Sequence, residues 1–68
     1  MDIQRLADML NQIARNLAAQ GTEVAISQTA QHVRDFWDPR MRVALTSADP
    51  ALLDPIAAAA VARLRETC

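Results

Sequence analysis

Ile3-Gln4-Arg5-Leu6-Ala7-Asp8-Met9-Leu10-Asn11-Gln12-Ile13-Ala14-Arg15-Asn16-Leu17 decides the fold class. Its large apolar residues, Ile3, Leu6, Leu10, Ile13 and Leu17, alternate steps of three and four, the spacing that keeps side chains on one stripe of an α-helix. Arg5, Asp8, Gln12 and Arg15 fall on the far side. Asp2 stands where a carboxylate can accept from the orphan N–H groups of a first turn, so a helix is predicted from Ile3 to about Ala19. Gly21 follows, a residue suited to the left-handed conformation that ends helices.

Working outward, Ile26, Ala30, Val33 and Trp37 repeat the pattern in steps of four, three and four. Ala25, Thr29, His32 and Phe36 line an adjacent flank. A second helix from a Thr22 N-cap to about Phe36 is therefore predicted, with faces for two neighbours. Asp38-Pro39, Asp49-Pro50 and Asp54-Pro55 share one physical meaning. Asp caps well, Pro is tolerated at the first helical position, and the residue before Pro is pushed out of the helical region. Helices are predicted over Pro39–Thr46 and Pro55–Glu66, with a short helical turn after Pro50. In the last helix Leu53, Ile56, Ala57, Ala60 and Leu64 share a side, and the alanine run from Ala57 to Ala60 allows close backbone approach. No strand pattern, repeat or low-complexity linker occurs. The expectation is an all-α fold, a small compact bundle of three to four helices, with residues 1–68 as a single domain.

Size and charge restrict function. The chain has 68 residues, 51% hydrophobic and 22% charged, with one Gly, three Pro and two aromatic residues. A domain this small buries only about 60% of the surface its unfolded chain exposes. Its alanine-rich composition suits a chain that gains part of its core from a partner. Seven Arg, no Lys and eight acids give a net charge of −1. That leaves no cationic surplus for phosphate backbones, so no nucleic-acid partner is expected. The apolar run from Ala57 to Ala62 is far short of the ~20 residues that span a bilayer, and no export signal is evident, so no membrane association and a cytoplasmic location are expected. Cys68, the single cysteine, has no intrachain disulfide partner and reads as a frayed end.

Catalysis needs a nucleophile, a base and an orienting group. His32 has Gln28 and Phe36 at the positions four residues away, and Asp35 points off its flank. One His and one distant Cys give no metal-ligand spacing, and one Gly cannot build a phosphate loop. The chain is expected to have no catalytic, metal or cofactor-binding residues and not to be an enzyme by itself.

The densest feature is His32-Val33-Arg34-Asp35-Phe36-Trp37-Asp38-Pro39-Arg40-Met41-Arg42. It holds both aromatic rings, the only His and three of the seven Arg. Trp37 lies on the core stripe and reads as an anchor at the corner between helices. Phe36 is about 100° away around the helix, so the two rings cannot share one small core equally, and one is free to be offered outward. Aromatic residues and Arg dominate interface hot spots. Arg40 and Arg42 suit either a clamp on carboxylate or phosphate or a solvated face paired with Asp35 and Asp38. The candidate partner interface is His32, Arg34, Phe36, Trp37, Asp38, Pro39, Arg40, Met41 and Arg42.

This block, from His32-Val33-Arg34 through Phe36-Trp37-Asp38-Pro39-Arg40-Met41-Arg42, resembles the signature of the delta subunit of NAD-dependent, molybdenum- or tungsten-containing formate dehydrogenases. Asn11-Gln12-Ile13-Ala14 resembles that family's Asn-Gln-Ile element. The chain departs from the family at Asn16-Leu17, where members often carry aromatic residues, and over Thr46–Asp54, where Asp-Pro turns replace a commonly Gly-containing loop. The resemblance implies a noncatalytic accessory subunit that stabilises or helps mature the catalytic alpha subunit. It implies a complex in which the alpha subunit holds bis-molybdopterin guanine dinucleotide with Mo or W and iron–sulfur clusters. Beta and gamma subunits would carry FMN, further clusters and the NAD site. Two other functions fit the residues. One is a maturation factor in which Arg34, Arg40 and Arg42 meet the pyrophosphate of the guanine dinucleotide cofactor and Trp37 or Phe36 stacks on guanine. The other is a generic helical interaction module or homodimer using the Ile3 to Leu17 stripe.

Overall fold

The computed structural model describes residues 2–66, which places Cys68 outside the described residues. Four α-helices follow one another: α1 Ile3–Leu17, α2 Thr22–Phe36, α3 Pro39–Thr46 and α4 Pro55–Glu66. One 3-10 turn, Ala18–Gln20, extends α1, and another, Pro50–Leu52, lies between α3 and α4. No strand occurs among the described residues, in agreement with the all-α expectation. None of the helices is long and apolar enough to cross a membrane.

Each boundary has a local cause. Asp2 accepts from the Gln4 N–H at 3.0 Å, capping α1 as predicted. Asp38 accepts from the Met41 N–H at 2.9 Å, and Pro39 follows at the first position of α3. Asp49 does the same for the Ala51 N–H at 2.9 Å, ahead of Pro50. Asp54 differs, because its carboxylate accepts from Arg15 Nε at 3.2 Å.

The α1–α2 connection differs from the sequence reading in one respect. Thr22 is the first residue of α2 and Gly21 is the N-cap, with no side-chain capping bond. Gly21 has φ +106° and ψ 146°, a region essentially reserved for glycine. The chain tightens into a 3-10 turn before it reaches this residue, and the Gly21 N–H donates to the Ala18 carbonyl at 3.1 Å. The sharp change of direction is made by backbone alone, so a hydroxyl cap is not required.

α2 packs against both α1 and α4, which accounts for its two apolar faces. Ala25, Thr29, Ala30 and Val33 are buried, and Trp37 closes the stripe at 5% exposure. The buried face of α1 is rotated relative to the predicted stripe. Leu6, Ala7, Leu10, Asn11 and Ala14 are buried, Ile13 and Leu17 are half-buried, and Ile3 is exposed. Ala7 and Ala14 are fully covered while the larger Ile3 is exposed, so burial along this helix does not follow side-chain size. On α4, Ala57, Ala60, Val61 and Leu64 are buried, with Leu53 and Ile56 packed against the same core. The Cα radius of gyration, 10.6 Å, compares with about 11 Å for a compact chain of this length.

Candidate interaction surface

The corner between α2 and α3 is built around one buried ring. The Trp37 N–H donates to the Val33 carbonyl at 3.0 Å, completing the last bond of α2. Trp37 itself has left the helix, at φ −95° and ψ 134°. Asp38 remains extended, as a residue before proline must, and its backbone carbonyl accepts from the Arg42 N–H at 3.1 Å. Two residues therefore separate two capped helices. Trp37 packs in the core with Leu6, Leu10 and Leu45, which fixes the direction in which the corner leaves α2.

With Trp37 turned inward, Phe36 is turned outward and is 75% exposed. This is the division of labour that the 100° offset between the two rings requires. The His32 ring lies one turn before, its centroid 4.9 Å from that of Phe36 and the planes inclined at 42°. An aromatic pair thus sits at the surface while the indole fills the core.

The other predicted interface residues separate into two groups. Trp37, Asp38 and Met41 shape the corner: one is core, one caps α3, and Met41 packs half-buried on the core. Arg34, Phe36, Pro39 and Arg40 are exposed, and His32 and Arg42 are half-buried. Asp35 Oδ1 accepts from Gln31 Nε2 at 2.8 Å, and Asp38 Oδ1 is held by the Met41 N–H. Among the described residues Arg40 and Arg42 form no ion pair, so a self-neutralised face is not what α3 presents. Nor do they form one clamp. They are two positions apart on a helix, about 200° around its axis, and their guanidinium groups leave from opposite flanks.

A second constellation is not evident as a unit in the sequence. Asn11, on the buried face of α1, donates from Nδ2 to the Leu52 carbonyl at 2.9 Å. Its Oδ1 accepts the Asp54 N–H, also at 2.9 Å. One side-chain amide thus serves both an acceptor and a donor of the segment leading into α4. Arg15, one turn later, bonds the Asp54 carboxylate at the surface. The Thr46 carbonyl, at the end of α3, accepts from Arg65, and Arg63 pairs with Glu23. The sequence signal for this clamp is an Asn set between Leu10 and Ala14 on an apolar face.

Among the described residues no group of three or more His, Cys, Asp or Glu side chains is arranged to hold a metal ion. Of the residues that a guanine dinucleotide would meet, Trp37 is buried, Phe36, Arg34 and Arg40 are exposed, and Arg42 is half-buried.

The family model described as NADH-dependant formate dehydrogenase delta subunit FdsD matches residues 5–61. The chain belongs to the FdsD family. The FdsD match runs from the first turn of α1 to Val61 in α4, so it takes in the Asn11 clamp, the Trp37 corner and all of α3. Neither the curated proteins nor the solved structures gave a match. In this FdsD chain the two blocks of family resemblance have distinct physical roles. Asn11 ties the segment before α4 to α1, whereas the Phe36–Arg42 block turns a corner and exposes a ring beside two arginines.

Proposed function

We propose that this chain is a noncatalytic accessory subunit of a cytoplasmic NAD-dependent formate dehydrogenase. It docks on the catalytic alpha subunit, within a complex that also holds beta and gamma subunits, and stabilises or helps mature the alpha subunit. The cofactors of that complex (bis-molybdopterin guanine dinucleotide with Mo or W, iron–sulfur clusters, FMN and NAD) reside on the larger chains. The observation that carries this proposal is the exposure of Phe36 at the corner that leads into Arg40 and Arg42, in a domain of the FdsD family. A large ring that is 75% exposed and, among the described residues, packed only on His32 adds little to folding, and aromatic-plus-arginine surfaces are those on which partners bind most strongly. The interface is expected to use His32, Arg34, Phe36, Pro39, Arg40 and Arg42. Trp37, Asp38 and Met41 set its shape from beneath.

The test is expression of the formate dehydrogenase subunits with and without this chain. Stoichiometric recovery with the alpha subunit is expected, together with a loss of NAD-linked formate oxidation when the chain is omitted. An active enzyme purified without it, with oxidation unchanged on deletion, would overturn the proposal. Titrating the chain with a guanine nucleotide addresses the maturation role: saturable binding at micromolar concentration would favour cofactor handling over a purely structural role.

A further inference from the structure

We propose that the outer face of α3 is a docking ridge and that its partner surface is an apolar hollow edged on two sides by carboxylates. This rests on the accessory-subunit proposal above and specifies the chemistry of that same corner. At about 100° per residue, seven of the eight residues of α3 divide into faces around the axis, and the eighth, Thr46, is half-buried with its hydroxyl donating to the Val43 carbonyl at 3.0 Å. Leu45 is fully buried, and Met41 and Ala44 pack on the core beside it. Diametrically opposite are Pro39 and Val43, both exposed, Val43 at 64%. Arg40 and Arg42 occupy the two flanks between these faces. In section the helix is an apolar crest with one guanidinium on either side.

Phe36 lies close to the start of the crest. Three residues of chain span at most about 11 Å between Cα atoms, so the exposed ring starts within that distance of Pro39. Phe36 and Val43 are the two most exposed large hydrophobic residues described, well above Ile3, Met9 and Val24 at 39–44%. Single exposed apolar side chains are ordinary, but these two lie within eight residues and bracket a proline and two arginines. A shallow groove lined by Pro39, Arg40, Val43 and Ala44 borders the crest on the Arg40 flank.

Charge selects the partner. Arg40 and Arg42 make no ion pair among the described residues, and Asp35 and Asp38 each already accept a hydrogen bond. Two guanidinium groups on opposite flanks cannot converge on one phosphate. They can each meet a carboxylate on the rim of a surface that receives the crest between them. That geometry favours an acidic-rimmed protein hollow over a nucleotide.

The experiment measures binding of the full chain to the purified catalytic subunit at low and at high salt, for wild type, Val43→Asp, Arg40→Glu, Arg42→Glu and a remote control, Val24→Asp. All four changes are at positions outside the core, and circular dichroism checks the fold. A tenfold or greater loss is expected for Val43→Asp and for each reversed arginine, with the arginine effects shrinking at high salt and the control binding like wild type. A photo-crosslinking residue at position 43 is expected to join a segment of the large subunit bearing Asp or Glu. Wild-type binding with all three variants unimpaired, equal weakening by Val24→Asp, or crosslinks confined to a basic segment would each overturn the ridge while leaving the accessory role standing. Saturable pyrophosphate binding that Arg40→Glu and Arg42→Glu both abolish would also overturn it. If wild type fails to bind any subunit, both proposals fall.

Discussion

The Asp54 backbone N–H donates to Asn11 Oδ1 at 2.9 Å, a bond between residues 43 apart in the chain. The same amide reaches the Leu52 carbonyl through Nδ2. Asn11→Ala would remove both partners at once and leave a part-buried donor and acceptor unanswered. A loss of about 2 kcal/mol is expected, as a fall in the urea midpoint at unchanged m value. A midpoint within error of wild type would show that water replaces the amide freely.

Arg15 and Asp54 join the same two segments, yet much less is expected of them. Their side chains are 66% and 40% exposed, so solvent screens the pair. A double-mutant cycle through Arg15→Ala and Asp54→Ala should give a coupling of about 0.2–1 kcal/mol that declines with salt.

Thr29 is fully buried, and its hydroxyl oxygen has no hydrogen-bond partner among the described residues. Val has nearly the same shape without the hydroxyl. Thr29→Val is therefore expected to stabilise the domain by about 1 kcal/mol, a rise of roughly 4–8 °C in Tm for a chain of this size. A lower Tm would mean that the hydroxyl is satisfied in solution.

Gly21 has open space where a Cβ would point, so the cost of a side chain there is backbone strain alone. Gly21→Ala should destabilise by about 1–3 kcal/mol, measurable in the same urea titration.

Adjacent rings should behave in opposite ways. Trp37→Ala empties a core position and is expected to cost about 3–5 kcal/mol, enough to unfold so small a domain in circular dichroism. Phe36→Ala should leave unfolding within about 0.5 kcal/mol of wild type while weakening capture of the catalytic subunit. Loss of fold with Phe36→Ala would place that ring in the core.

The contrast between these rings is legible in the sequence, because one residue of offset on a helix is a fixed angle. The three Asp-Pro pairs are equally legible, since capping and proline geometry are local. The α1 face is not. Its large residues mark a stripe from Ile3 to Leu17, but the buried face keeps only Leu6 and Leu10 of that stripe and adds Ala7, Asn11 and Ala14. A residue's own apolarity says nothing of how near its neighbours come. Asn11 is legible only as a polar residue on an apolar face, because both its partners lie more than forty residues away and belong to backbone, which carries no sequence signature.

The Asn11 clamp also sets an order of events during synthesis. At about 5–20 residues per second, Leu52 and Asp54 are translated roughly two to eight seconds after Asn11. Through that interval the amide lacks both of its backbone partners, although α2 and α3, which also pack on α1, are made before Leu52. The clamp therefore closes only once the segment leading into α4 exists, a late lock on a packing of α1 that α2 and α3 begin without it.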